Sequence, residues 1–233
     1  MTQRKKAVFN WSGGKDSALA LQKILEANEF EVVSLLTTLN EETQKSSIHS
    51  IPLELLSRQA ESIGLPLYTA LFAKDLKNYD EKMHEAIVYF KKLGVTHFIF
   101  GDIFLSDIKA YRENKLNPLG IEVVEPLWNK TSNEIIEDFF TSGIKTKIIV
   151  TQADKLDQTF IGKELDSTLA NTFPDDVDVC GENGEYHTFC YAGGLFKKEV
   201  VFSISETTKI SYAITLDNGT TKTFEYWQAE LRV

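Results

Sequence analysis

The run Ser12-Gly13-Gly14-Lys15-Asp16-Ser17 stands between an apolar segment and an amphipathic one, and this arrangement constrains the fold most. Residues 6–11 predict a buried strand, and residues 15–28 predict a helix with one broad apolar face. The two glycines allow the backbone to approach an anion, and the helix start offers N–H groups and a positive dipole end. Lys15 adds a full charge. The sequence therefore predicts an α/β protein in which this whole run binds the phosphates of a nucleotide.

This loop differs from two commoner nucleotide-binding motifs. The Walker-type P-loop requires an earlier glycine and a Ser or Thr directly after its lysine, whereas this chain has Phe9 and Asp16 at those positions. The dinucleotide fingerprint requires further glycines that are missing here. An acid at position 16 must contact phosphate through a metal or point away from it. These differences narrow the prediction to pyrophosphate chemistry.

Strand-like and helix-like segments alternate through the first two-thirds of the chain. Near-continuous apolar strands in such an alternation predict a Rossmann-like parallel sheet with helices on both faces. Ligands of these sheets bind beyond the carboxyl ends of the strands, where the loop, Thr37-Thr38 and Gly101-Asp102 are expected. The further predicted segments are strands at 31–38, 66–72, 97–102 and 121–125 and helices at 52–63 and 79–93.

A change in composition near residue 128 predicts two domains. Residues 1–128 are expected to bind the nucleotide, and residues 129–233 are expected to form a smaller α+β domain that binds the substrate. Because an exposed strand edge invites pairing between chains, a homodimer is one expectation. The second part predicts a helix at 132–142, strands at 147–151, 200–204, 209–215 and 221–227, an irregular stretch at 154–185 and a turn at Asp217-Asn218-Gly219.

Composition limits the classes of partner. The formal net charge of −9 argues against binding to nucleic acid or to an anionic membrane surface. Cys180 and Cys190 lack a metal-binding spacing, are expected in the core, and fit a reducing compartment. The start of the chain does not resemble a signal peptide, and no apolar run reaches the length of a membrane span. A cytoplasmic location is therefore expected.

The six-residue loop resembles the PP-loop signature of adenylating enzymes, which have an adenine nucleotide α-hydrolase-like fold. More narrowly, the chain resembles bacterial-type members of the diphthine–ammonia ligase family over nearly its whole length. That family's pattern is present as SGGKDS at 12–17, Gly101-Asp102 followed by Arg112, Pro126-Leu127-Trp128 and the run GENGEYHTF at 181–189. The last run sets this family apart from other PP-loop enzymes.

The resemblance implies a reaction type. PP-loop enzymes cleave ATP between its α and β phosphates, attach AMP to a substrate oxygen and release pyrophosphate. In the diphthine–ammonia ligases the oxygen belongs to a carboxylate, ammonia displaces AMP, and an amide forms. ATP and Mg²⁺ are therefore expected, with ammonia or an amine and a carboxylate acceptor, either a small molecule or a modified protein side chain. In archaea and eukaryotes the family's acceptor is a modified histidine of an elongation factor. Bacteria lack this modified histidine, so the resemblance to bacterial-type members favours a small carboxylate.

Two basic residues and several acids are candidates for this chemistry. Lys15 and Arg112 would stabilise the charge that develops on the phosphates, and Asp16 would contact Mg²⁺ or orient Lys15, although no set of metal ligands is evident. Glu182 and Glu185 would hold an ammonium or amine nucleophile and take its proton, or they would hold a cationic group of the substrate. The expected catalytic residues are Lys15, Asp16, Arg112, Glu182, Glu185 and His187.

Each of these residues also has a simpler structural interpretation. Arg112 could be a surface residue of an amphipathic helix, and Asp102 could cap the next helix instead of contacting Mg²⁺. The two glutamates could be solvated acids of a tight turn. His187 could be a proton relay or, instead, a core histidine that is satisfied by the backbone. The sequence leaves these alternatives open.

Two further groups of ligands follow from the resemblance. The nucleotide is expected to contact, besides the loop, Thr37 and Thr38 through backbone atoms, and also His49, Gly101 and Asp102. His49 could instead be a simple helix-entry residue, and His84 and His97 are expected to be structural. The acceptor is expected to contact Gly181, Glu182, Asn183, Gly184, Glu185 and Thr188.

Two other functions compete with amide formation. A PP-loop enzyme that modifies tRNA is disfavoured by the acidic charge and by the absence of a cysteine pair with relay spacing. A nucleotide-sensing protein would need the phosphate loop but would not need Arg112, Glu182 or Glu185. The identity of the carboxylate is not contained in the sequence.

Overall fold

The structure is a computed structural model that describes residues 4–47, 49–73, 77–215 and 221–233. Within these residues, five parallel strands form a sheet in the order β3-β2-β1-β4-β5. This topology confirms the Rossmann-like α/β prediction. The strands are β1 (Lys5–Asn10), β2 (Phe30–Asn40), β3 (Leu67–Phe72), β4 (His97–Ile99) and β5 (Glu122–Val124).

Helices cover both faces of this sheet because successive strand residues point to opposite sides. Phe9 packs in the core cluster that contains the apolar side chains of α1 and α2, whereas Val8 packs in the cluster that contains those of α3. The helices predicted at 15–28, 52–63 and 79–93 agree with the structure to within one residue at each end, whereas no bounds were predicted for the fourth. The four helices are α1 (Lys15–Ala27), α2 (Leu53–Ile63), α3 (Tyr79–Lys92) and α4 (Ser106–Leu116).

The remaining elements build a second, antiparallel sheet in the order β7-β6-β9-β8. The helix that precedes this sheet in the sequence begins with a capping box. Thr131 Oγ1 accepts the Glu134 N–H, and the Glu134 carboxylate accepts the Thr131 N–H. This α+β arrangement confirms the fold expected for the C-terminal part. Its elements are α5 (Ser132–Thr141), β6 (Lys145–Gln152), α6 (Ser167–Ala170), β7 (Tyr186–Ala192), β8 (Ser203–Thr215) and β9 (Thr221–Arg232), and short 3₁₀ turns lie at Asn117–Leu119 and Gln158–Phe160.

Three segments differ from the prediction. Strand β4 ends at Ile99, so Gly101 and Asp102 follow the strand and do not belong to it. The tail strands expected at 200–204 and 209–215 are wrong as separate elements, because β8 runs without interruption past a register shift between Ile204 and Glu206. Strand β7 was not predicted. The turn expected at Asp217-Asn218-Gly219 lies outside the described residues.

The two sheets meet at the phosphate loop. The Cys190 N–H of β7 donates to the Gly13 carbonyl at 2.9 Å, and one core cluster contains side chains from both predicted domains. Cys180 and Cys190 are free and buried, as expected for core residues. The domain boundary at residue 128 stays a prediction. Among the described residues, no helix has both the length and the apolarity needed to cross a bilayer.

Candidate active site

A cavity of about 1090 Å³ lies where the ends of β1, β2 and β4 meet the loop before β7. It brings together residues that are far apart in the sequence, including nearly all of the predicted site residues. Gly13 and Glu185 are the exceptions. The predicted residues that line the cavity are Ser12, Gly14, Lys15, Asp16, Ser17, Thr37, Thr38, His49, Gly101, Asp102, Arg112, Gly181, Glu182, Asn183, Gly184, His187 and Thr188.

Gly13 faces the protein core and not the anion site that the sequence predicted for it. Its φ of +85° is in the region that favours glycine, and an added Cβ would lie 2.8 Å from Ile51 Cδ1. Its carbonyl accepts the side-chain N–H of Gln59 at 3.0 Å. Gly14 caps α1 in an extended conformation and lines the cavity. The two glycines therefore have different roles, because Gly13 shapes the turn and Gly14 forms part of the cavity wall.

Lys15 is a buried and charged lysine, with only 3% of its surface exposed. Its Nζ lies 2.7 Å from both carboxylate oxygens of Asp16 and donates to the Cys180 carbonyl. Burial by itself lowers the pKa of Lys15, but the Asp16 carboxylate and smaller contributions from Tyr186 and Cys180 raise it above its ordinary value. The cavity therefore contains a fixed positive charge next to the N-terminus of α1.

Strand β7 supplies groups to the same wall. The Thr188 hydroxyl accepts the Lys15 N–H at 2.9 Å, so this residue supports the phosphate loop in addition to lining the cavity. The rings of His49 and His187 pack with centroids 4.7 Å apart. Burial and the Lys15 charge lower the pKa of His49 to about 4, and burial together with His49 lowers the pKa of His187 well below its ordinary value. Both rings are therefore neutral near pH 7.

The two glutamates of the acidic loop have different surroundings. The Glu185 carboxylate is buried within the loop, where it accepts the backbone N–H groups of Asp178 and Asn183 at 3.0 Å each and the Asn183 side-chain N–H at 3.1 Å. It does not line the cavity, which argues against the predicted role as a base in contact with substrate. Glu182 lines the cavity, and burial and the nearby Asp16 charge raise its pKa to about 7.

Arg112 belongs to a cluster of charges across the cavity. It forms ion pairs with Asp102 and with Glu125, and its guanidinium lies 3.9 Å from the Phe100 ring centroid. Burial lowers the pKa of Arg112, and Glu125 opposes this effect. Asp102 does not cap α4, because the residue before that helix is Leu105 and it makes no side-chain cap bond. Arg112 therefore lies at the cavity and not on an outer surface.

Several residues at the site were missed from the sequence. Gln59 is fully buried on α2 and donates to the carbonyls of Gly13 and Cys190. The sequence signal for Gln59 was a polar side chain on the apolar face of a predicted helix. Asp178 accepts the N–H groups of Cys180 and Glu182 and so holds the acidic loop.

The two histidines that were expected to be structural differ in their surroundings. His84 lines the cavity, whereas His97 is buried beside Glu122, as a structural histidine would be.

A parallel sheet with a buried lysine on its phosphate loop, facing a preformed acidic loop, defines the class of ATP-dependent ligases that use a PP-loop. Residues 5–123 match the family model for the diphthamide synthase N-terminal domain, and residues 129–220 match the model for the diphthamide synthase C-terminal domain. The first match alone spans more than half of the chain. The chain therefore belongs to the diphthamide synthase family, which confirms the resemblance found in its motifs.

Curated relatives agree with this assignment. The diphthine–ammonia ligase of Bos taurus is 27% identical over 219 residues, which cover 84% of this chain and 82% of that protein. The diphthine–ammonia ligase of Homo sapiens is 27% identical over 221 residues, with the same coverage of both chains. The diphthine–ammonia ligase of Schizosaccharomyces pombe is 28% identical over 222 residues, but these cover 36% of that longer protein.

Proposed function

We propose that this protein uses ATP to adenylate a carboxylate and then joins the activated acyl group to ammonia or an amine. One observation carries the proposal. A single cavity is lined both by the phosphate loop with its charged Lys15 and by Glu182, whose pKa of about 7 suits a proton acceptor at neutral pH. The family assignment supports the same reaction type.

The phosphates of ATP would bind at the N-terminus of α1. The Gly14 N–H donates to Ser12 Oγ and the Lys15 N–H donates to Thr188 Oγ1. The N–H groups of Asp16 and Ser17 in the first turn of α1 would therefore meet the phosphates, and Ser12 and Ser17 add hydroxyl groups at the same wall. Lys15 would exchange part of its contact with Asp16 for a phosphate oxygen. The adenine would lie toward Thr37 and Thr38 at the end of β2, with Gly101 close behind the loop.

The residues present fit a magnesium ion that arrives with ATP. Among the described residues, no group of three or more His, Cys, Asp or Glu side chains could hold a metal by itself. Mg²⁺ needs no such cage, since it commonly binds through one or two carboxylates together with substrate phosphates and water. Asp16 and Asp102 line the cavity and would supply these carboxylates. The bound ion would neutralise charge on the departing pyrophosphate.

In the first step, a carboxylate oxygen of the acceptor attacks the α-phosphorus of ATP. The bond from that phosphorus to the bridging oxygen of the β-phosphate breaks, which gives an acyl adenylate and pyrophosphate. Negative charge grows on the phosphate oxygens, and Lys15 stabilises it from within a buried site. Arg112 supplies a second cation at the same cavity, and Asp102 and Glu125 hold its guanidinium in position.

In the second step, the nitrogen of ammonia or an amine attacks the acyl carbonyl carbon. The carbon–oxygen bond to AMP breaks, AMP leaves, and an amide forms. The attacking nitrogen must lose a proton, and Glu182 accepts it. Glu185 acts as a positioning residue, because its carboxylate binds the backbone that presents Glu182. His187 is neutral, packs on His49 and lines the same cavity.

Phosphorus NMR of the products tests this proposal. The full chain is incubated with ATP, Mg²⁺, ammonium chloride and a panel of small carboxylates, and the expected products are AMP and pyrophosphate. Lys15→Met should abolish the reaction, whereas Lys198→Met, at an exposed lysine paired with Glu61 outside the cavity, should not change it. Formation of ADP and phosphate would overturn adenylation. Binding of ATP without turnover of any carboxylate would favour a nucleotide sensor.

Two expectations from the sequence remain predictions beside this proposal. A homodimer is supported by the position of β8 at the edge of the second sheet, where its outer side is available for pairing. A cytoplasmic location is supported by the two buried free cysteines. Neither is needed for the chemistry.

A further inference from the structure

The long hairpin of β8 and β9 carries four apolar side chains on one face, and these side chains line the cavity beyond the acidic loop. Ile210 pairs with Tyr226, and Tyr212 pairs with Phe224, so all four lie at alternating positions on the same side of the hairpin. The Tyr212 and Tyr226 rings contact each other edge to face, with centroids 5.9 Å apart. We name these four residues the hairpin wall.

The hairpin wall is incompletely covered. Tyr212 exposes 48% of its surface, and Ile210, Phe224 and Tyr226 are half-buried. A ligand that covers these side chains removes their apolar surface from water, and this removal favours binding. The wall residues extend the cavity lining that begins with Lys15 and Glu182, so a molecule on the wall can reach the reacting groups.

The cavity is also larger than the phosphate end requires. Its volume of about 1090 Å³ lies just above the range of about 300–1,000 Å³ for pockets that hold a single small ligand. Its lining is mixed, because charged residues of the phosphate loop and acidic loop and the side chains of the hairpin wall all line it. A ligand that contacts both kinds of lining must carry a polar reactive group and an apolar body.

We infer that the hairpin wall is the acceptor subsite, and that the acceptor is a small carboxylic acid with a flat aromatic or similarly broad apolar ring body. This inference rests on the proposed function, because the carboxylate must reach the phosphate loop to be adenylated. Aromatic side chains favour a ring ligand, which they contact by stacking or edge-to-face packing. The ring lies on Tyr212 and Phe224, and the carboxylate points toward Lys15.

Binding of 1-pyrenebutyrate to the full chain tests the subsite without requiring turnover. The fluorescence polarisation of the probe should rise to a plateau as protein is added. A hundredfold excess of butyrate should not displace the probe. Tyr212→Ala and Phe224→Ala should each weaken binding about tenfold, and Phe224→Leu, which keeps apolar contact, should weaken it less. Tyr89→Ala is the matched control, because Tyr89 is also 48% exposed but lies on α3 away from the cavity. Circular dichroism checks that each variant is folded.

The outcomes separate this inference from the proposed function. Equal binding by wild type, Tyr212→Ala and Phe224→Ala overturns the subsite, and so does displacement of the probe by AMP, which would assign the wall to adenine. Pyrophosphate release that is as fast with butyrate as with ring-bearing acids also overturns the subsite but leaves adenylation intact. Probe binding that depends on the wall, without pyrophosphate release from any acid, upholds the subsite and overturns adenylation.

Discussion

The Thr188 hydroxyl accepts the backbone N–H of Lys15 at 2.9 Å, which links β7 of the second sheet to the first turn of α1. Both residues are buried, so the bond cannot be replaced by water without rearrangement. The phosphate loop is therefore held from two directions, by its own helix and by a strand that follows it 173 residues later. The second sheet takes part in building the nucleotide end of the cavity.

Replacement of Thr188 by valine should destabilise the protein. Valine has nearly the same shape but leaves the Lys15 N–H without its acceptor, which costs about 1–3 kcal/mol for a buried group. Thr188→Ser keeps the hydroxyl and should lose less than half as much. Urea denaturation measures both changes. If Thr188→Ser is as destabilised as Thr188→Val, the methyl contact contributes as much as the hydrogen bond, and the hydrogen bond is not the dominant contribution of this residue.

The pH dependence of turnover should separate Glu182 from Glu185. Burial raises the pKa of Glu182 to about 7, so the carboxylate is protonated below pH 7 and ionised above it. A base must be ionised, so the rate of amide formation should rise as pH increases toward 7 and level off above it. Glu182→Gln should remove this rise and lower the rate about 10²–10⁴-fold.

Glu185→Gln serves as the comparison, because its carboxylate binds loop backbone and does not line the cavity. We expect a lower kcat/KM with the same pH midpoint as the wild-type enzyme. The measurement is an initial-rate series between pH 5.5 and 9 with saturating ATP. A shifted midpoint in Glu185→Gln together with an unchanged profile in Glu182→Gln would reverse the two roles.

The sequence predicted the phosphate loop and the parallel sheet because both depend on local patterns. The run from Ser12 to Ser17 follows an apolar strand and opens an amphipathic helix, and these features are readable within a short window. Strand β7 was missed because Tyr186–Ala192 becomes a strand through pairing with β6, which is distant in the sequence. The two glutamates could not be separated, since only the folded loop reveals which carboxylate its backbone binds.

Acid should destabilise the protein through the histidine pair. The pKa of His49 is lowered to about 4 and that of His187 lies well below its ordinary value of 6.5. The folded state therefore binds fewer protons than the unfolded state between pH 6.5 and 4. The associated stability is present above pH 6.5 and is lost as pH falls toward 4.

Proton NMR of the imidazole rings tests this directly. The signals of His49 and His187 should not titrate between pH 8 and 5. His49→Gln should make the unfolding free energy less sensitive to pH over the same interval. Normal titration of both rings near pH 6.5 would contradict the neutral stacked pair.

Gly101→Ala should weaken ATP binding through steric pressure on the phosphate loop. A Cβ at this position would lie 3.0 Å from three backbone atoms, namely Asp16 O, Ser17 Cα and Ser17 N. These backbone atoms cannot move aside as a flexible side chain can. The first turn of α1 must therefore shift relative to β4 to accommodate the added methyl group. Small displacements of positioning groups cost large factors in catalysis, and we expect at least about a tenfold loss in affinity for α,β-methylene-ATP by calorimetry.

Gly94→Ala separates this local effect from general destabilisation. Gly94 has a φ of +82° at the end of α3, and the nearest atom to an added Cβ is Lys6 Cδ at 3.7 Å. This variant should lower the melting temperature through backbone strain, yet it should bind the nucleotide analogue like wild type because α3 ends far from the loop. Gly101→Ala should show the opposite pattern, with weak binding and a smaller change in melting temperature. If Gly101→Ala binds the analogue normally, the close approach of Gly101 to Asp16 and Ser17 does not set the geometry that holds the phosphates.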